Sequence, residues 1–163
     1  MDVTLPAVLA QLLAQLGLRL PGSSETGLLA LADTWHQYGD RLPNGVQSAD
    51  HHAQRVWDAN QGESVAALRA LWTDGQGPAA NLTDAAVAMA LVGAGLTVSA
   101  GIVAATKLSY GTQLCLLAGQ ITALRASGNP AAEPAITALM ARTRANLMTL
   151  LDTAVYAISP GMA

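Results

Sequence analysis

Residues 55–72 read RVWDANQGESVAALRALW. Trp57 and Trp72 bracket a break at Asn60-Gln61-Gly62, in a chain that has no phenylalanine. Apolar residues recur at three and four on both sides of the break, which is the period of an amphipathic helix. Glycine takes left-handed backbone without a Cβ penalty and asparagine is the next best residue for it. Gly62 and Asn60 therefore suit a helix C-terminus. Glu63 and Ser64 suit the start of the next helix, whose inward residues would be Val65, Leu68, Leu71 and Trp72. The stretch reads as the turn of a helical hairpin.

Outward toward residue 1, the apolar stripe runs Leu28, Leu31, Trp35, Tyr38, Leu42, Gly45 or Val46, Ala49, His52 or Ala53, and Val56. Such an alternation over about four heptads suits long, near-parallel helix packing. Pro43 interrupts it, and a mid-helix proline costs about 3 kcal/mol. Yet the stripe keeps its phase across Pro43, which an independent second helix would have no reason to do. One long helix kinked at 39–43 is predicted. It is capped by Ser23 or Ser24, with Glu25 near the positive end of its dipole. Before it, residues 5–16 form a short leading helix with Thr4 as cap, a Leu9–Leu12–Leu13–Leu16 stripe, and Gly17 at its end.

Outward toward residue 163, TDGQGP at 73–78 reads as a linker, and Pro78 fits the first turn of a fourth helix over 79–126. Between Ala85 and Arg125 its only charge is Lys107. SGNP at 127–130 stops it. A fifth helix over 131–158 carries Ile136, Met140, Thr143, Leu147, Leu150, Ala154 and Ile158 on one face, and SPGMA closes the sequence. No stretch alternates in the manner of a strand. The expected fold is all-α: an elongated antiparallel bundle of about five helices with long second, fourth and fifth members. It is read as a single helical domain over 1–163, made of a leading helix (1–20), a hairpin (23–73), an Ala-rich helix (78–126) and a C-terminal helix (131–158).

Composition narrows the function. Charged residues make up 12% of the chain, against about 25% in an ordinary domain. A helical protein so poor in charge is expected to hide part of its outside against a partner, its own copies or lipid; the alternative is a surface coated by Ala, Gln, Thr and Ser. The net charge of −3, with eight scattered basic residues, argues against nucleic acid, which needs a basic face. Asp2 sits where a secretory leader would carry Lys or Arg, so no signal peptide is read. A lone cysteine, Cys115, excludes an internal disulfide framework.

No catalytic constellation emerges, so no enzyme and no cofactor is expected. Asp33, His36 and Asp40 share a helical face and could in principle hold a metal. A di-metal bundle also needs matching ligands on other helices, and these are missing. A solvated polar face is the expected role of the three. His51 and His52 point about 100° apart and cannot chelate one ion; His52 is expected to be packed. Cys115 has no basic residue within a turn to activate it, and a small buried side chain is expected. Residues 85–106 are uncharged and long enough to cross a bilayer, and 108–124 adds a shorter run. Gly93, Gly95 and Gly101 resemble the small-residue faces of transmembrane helices. Large apolar residues are few there and aromatic belts absent, so a helix buried in protein is expected rather than a membrane-active hairpin over 85–124.

SETGLLALADTW at 24–35 with RVWDANQGESVAALRALW resembles the N-terminal helical domain of actinobacterial type VII (ESX) secreted toxins, of the outer-membrane channel and necrotising toxin type within the Trp-x-Gly superfamily. The positions that carry the resemblance are Glu25, Trp35, Asn60, Gly62, Glu63 and Trp72, with Trp57 beside the turn. The likeness extends more loosely through the Ala-rich stretch. It implies a secreted chain without a signal peptide. Its domain would mark it for export by pairing with a small helical partner or with itself, typically ahead of a toxin or enzyme domain. Three features depart from the pattern. Glycine does not stand two residues after Trp57, where Ala59 lies. Tyr38, Tyr110 and Tyr156 are followed four residues on by Leu42, Leu114 and Pro160 rather than an acidic residue. Pro43 lies where relatives keep an unbroken helix.

Overall fold

The computed structural model describes residues 2–159. It has five helices, α1 (Ala7–Gln15), α2 (Glu25–Ala59), α3 (Glu63–Thr73), α4 (Pro78–Ala126) and α5 (Ala132–Ile158), and no strand among the described residues. The expected all-α fold stands. The closing SPGMA segment lies outside the described residues from Pro160 on. Contacts divide the chain into two compact units, Met1–Gly27 with Val98–Ala163, and Leu28–Thr97.

The first unit is built on a leucine core. Leu13 and Leu16 of α1, Tyr110, Leu114 and Leu117 of α4 and Leu147 of α5 are buried together. The Tyr110 hydroxyl donates to the Leu147 carbonyl at 2.9 Å, so the ring enters the core with its one polar atom satisfied. On α5, Ala132, Ile136 and Leu147 are buried and Met140, Thr143, Leu150 and Ala154 half-buried, as its stripe predicts, while Ile158 is exposed. Both stops work through glycine. Gly17 (φ 68°) closes α1 with the Leu18 N–H on the Leu13 carbonyl and the Gly17 N–H on that of Ala14. Gly128 (φ 62°) closes α4. Thr4 does not cap α1: Pro6 occupies that position without a side-chain bond.

Lys107, the lone charge in the middle of α4, is buried. Its Nζ donates to Glu25 Oε2 at 3.1 Å and to the Ser23 carbonyl at 2.7 Å. The first turn of α2 is capped twice. Ser24 Oγ accepts the Gly27 N–H at 2.9 Å, and Asp2 Oδ1 accepts the N–H and the hydroxyl of Thr26.

In the second unit α2 runs unbroken through Pro43, as the retained phase predicts. The missing proline N–H leaves the Gly39 carbonyl without its helical partner, at the place the sequence marks for a kink. The inward stripe is half corrected. Leu28, Trp35, Leu42, Val46, Ala49 and, of the two residues offered at 52 and 53, Ala53 do lie inward, but Ala32, Gly39 and Trp57 replace Leu31, Tyr38 and Val56, which are exposed. The reason is close approach. A Cβ at Gly39 would sit 3.2 Å from the Ala86 carbonyl oxygen of α4, so the helices meet over small residues and turn larger ones outward. His36 faces α4 rather than solvent: a Cβ at Gly93 would lie 2.8 Å from its ring Cε1 and Nε2. TDGQGP links α3 to α4, as expected, and does so by a tight turn. Gly77 is buried, and a Cβ there would collide with the Leu71 carbonyl oxygen.

Candidate docking surface

The hairpin turn between α2 and α3 is where the sequence places its candidates. Asn60 Nδ2 donates to the Val56 carbonyl at 2.9 Å and so covers one of the open carbonyls at the end of α2. Its backbone is not left-handed; the positive φ belongs to Gly62, at φ 125° and ψ 171°. That extended conformation is open to glycine and strained for other residues. Gly62 is thus the N-cap of α3 rather than the terminator of α2, and its carbonyl accepts the Ala66 N–H at 3.1 Å. Glu63 follows in the first turn of α3, where the helix dipole favours a negative charge.

The two flanking tryptophans clasp α3 against α2. Trp72 Nε1 donates to Asp50 Oδ1 at 2.6 Å. The Arg69 guanidinium lies 5.5 Å from the centroid of the Trp57 ring, within cation–π range. Trp57 Nε1 is buried without a hydrogen-bond partner. Trp35, Trp57 and Trp72 are all half-buried, while Asn60, Gly62 and Glu63 are exposed. Trp57 and Trp72 therefore spend much of their apolar area inside the hairpin. Leu68 and Leu71, expected inward, face out, because Val65 and Trp72 take the inner side of this short helix.

Large apolar residues also lie uncovered along α4, which periodicity did not mark. In the second unit Val87 and Leu91 are exposed, Leu91 at 68%, and in the first unit so are Val98 and Leu108. Of the most apolar eighteen-residue stretch within 63–126, only 17% is buried. The burial in protein expected for this helix is not supplied by the chain itself. Apolar residues surround α4 on all sides, so it has no amphipathic period by which sequence could tell an inner face from an outer one. The exposed side of residues 85–106 carries no charge.

Chemistry is sparse. Among the described residues no group of three His, Cys, Asp or Glu could hold a metal. Asp33 is bonded to Gln37 Nε2 at 2.7 Å, and His36 packs on Gly93, so the Asp33–His36–Asp40 face does not converge. His51 and His52 are both exposed with ring centroids 5.9 Å apart, and Cys115 is exposed rather than buried. An apolar cavity of about 420 Å³ beside α4 in the first unit is lined by Leu5, Leu9, Leu108 and Cys115 among others. Comparison of the chain with known protein families, curated proteins and solved structures finds no match.

Proposed function

We propose that this chain is a non-enzymatic targeting and interaction domain of a substrate exported by a type VII secretion system. It pairs through helical faces with a small helical partner or a second copy. The observation that carries the reading is the uncharged, largely uncovered apolar side of α4. An uncharged helix side with several exposed large apolar residues is the kind of surface that a protein partner covers. The residues of the resemblance support it: Asn60, Gly62 and Glu63 build the turn, and Trp72 with Trp57 locks the hairpin that such a module needs.

Size constrains the partner. The uncharged run 85–106 spans roughly 33 Å as helix. A helix-wide seam of that length covers roughly 300 Å² per side, against about 800 Å² in a standard interface. The partner must therefore engage a second helix as well, which favours a two-helix protein or a second hairpin. Sedimentation velocity on the purified chain, alone and with small helical proteins encoded beside it, tests the reading. A concentration-dependent dimer or a heterodimer is expected, weakened at least tenfold by L91E. A chain that stays monomeric with every neighbour's product refutes it.

The same exposure favours a second reading, a membrane-active hairpin over 85–124, because this helix is long and apolar enough to cross a bilayer. Liposome flotation separates the two: a chain that stays in the aqueous fraction with both neutral and anionic vesicles removes the membrane reading.

A further inference from the structure

α5 carries a second apolar stripe besides the one in the core. Leu147 is buried, while Met148, one residue on and so about 100° round the helix, is 47% exposed. Leu151 and Val155 are exposed on the same side. We propose that this outer face of α5 is a self-association seam, occupied by α5 of a second copy that lies antiparallel to it about a two-fold axis at Met148. The seam uses no residue of α4 and is independent of the pairing proposed for that helix.

Three features of the face fit a second copy. The first is symmetry. A two-fold interface puts residue i on residue j and j on i, so the face must match itself when the helix is read in either direction. Outward from Met148, Arg144 and Asp152 stand four residues away on either side, and Ala141 and Val155 seven, all of them exposed. Residues at these spacings share one side of a helix. The second feature is charge. Arg144 and Asp152 are opposite in sign and about 12 Å apart along the axis, too far to pair with each other in one chain. Neither side chain makes an ion pair or a hydrogen bond among the described residues. Arg142, the other charge in this part of α5, lies about 120° round from Met148. Antiparallel copies crossing at Met148 set Arg144 of each against Asp152 of the other, whereas parallel copies in register would set like charges together. The third feature is volume. Val155 of one copy meets Ala141 of the other, and Leu151 meets Ala145, so large side chains face small ones and the helices can approach closely. Only Met148 meets its own kind, and its unbranched thioether adapts to such a contact. From Ala141 to Val155 the seam is roughly 21 Å long, a small contact of the kind found in weak, transient pairs.

Sedimentation equilibrium on the purified chain, at concentrations up to about 1 mM, should show a weak dimer. R144E and D152R each set like charges together at both symmetric contacts and should weaken it at least tenfold. Mixed in equal amounts, these two single variants should associate with each other about as strongly as the unaltered chain does with itself, because each supplies the charge that the other lacks. R144E/D152R, with the signs exchanged, should again self-associate. Circular dichroism should show the helices intact, since both positions are exposed. An unaltered chain that stays monomeric at about 1 mM overturns the proposal. So does a mixture of R144E and D152R that fails to associate although each alone is weakened. Binding of a different protein that R144E abolishes, without self-association of the unaltered chain, gives the face to that protein and overturns it too. A dimer weakened by L91E and by neither charge variant sinks this inference alone and leaves the α4 reading in place; the opposite pattern supports the α5 seam and not α4.

Discussion

Replacing Gly93 by alanine should destabilise the 28–97 unit, although the same change at Gly45 should stabilise it. Inside a helix, glycine to alanine gains about 0.5–1 kcal/mol because the unfolded chain loses less freedom. Gly45 lies in α2 where an added Cβ meets nothing within 4 Å, so G45A should show that gain. At Gly93 the same methyl would lie 2.8 Å from two ring atoms of His36, roughly 1 Å inside ordinary carbon contact. Displacing the packed ring costs about 1–3 kcal/mol, which outweighs the helix gain and leaves G93A up to about 2 kcal/mol less stable. H36A removes the obstacle, so H36A/G93A should be more stable than the two single effects predict, by about 1–3 kcal/mol. Trp35, Trp57 and Trp72 all fall in this unit, so urea unfolding followed by tryptophan fluorescence reads it directly. If G93A proves as stable as G45A, or shows no coupling to His36, then α2 and α4 do not approach as described.

Further outcomes follow from the buried polar groups. K107M should cost about 3–5 kcal/mol by stranding the buried Glu25 carboxylate, and E25Q/K107M should recover part of it in chemical denaturation. W72F gives up the bond to Asp50 and leaves that carboxylate unpaired, whereas W57F gives up no hydrogen bond. W72F should therefore unfold at lower urea than W57F. Thr26, through its hydroxyl first and its N–H second, holds the Asp2 carboxyl well below its ordinary 3.8. A lowered acid pKa stabilises the fold above that value, and the contribution is lost as pH falls below it. Burial, then the Asp152 charge, raises the Tyr110 hydroxyl above 10.0. That contribution is complete below pH 10.0 and is lost as pH rises beyond it. Thermal melts across pH should show both limbs, with D2N flattening the acid one and Y110F the alkaline one.

The sequence by itself determined most helix starts and stops, because caps and stops are local chemistry, although it misassigned the cap of α1 and the role of Gly62. Gly17 and Gly128 stop helices by their left-handed backbone, Ser24 starts one, and the phase kept across Pro43 correctly made α2 a single helix. It also picked out the inner face of α5, whose apolar stripe is narrow. Only the tertiary structure decided which side of α2 and α4 meets a neighbour. Both helices carry apolar residues on more than one side, and periodicity ranks faces by bulk. Packing here ranks them by closeness of approach, so Gly39 and Gly93 turn inward while Tyr38 and Leu91 turn out. The pairing of Lys107 with Glu25, and of Asp2 with Thr26, was likewise invisible to a linear reading. Such bonds join residues far apart in the chain, and their existence depends on where whole helices come to rest.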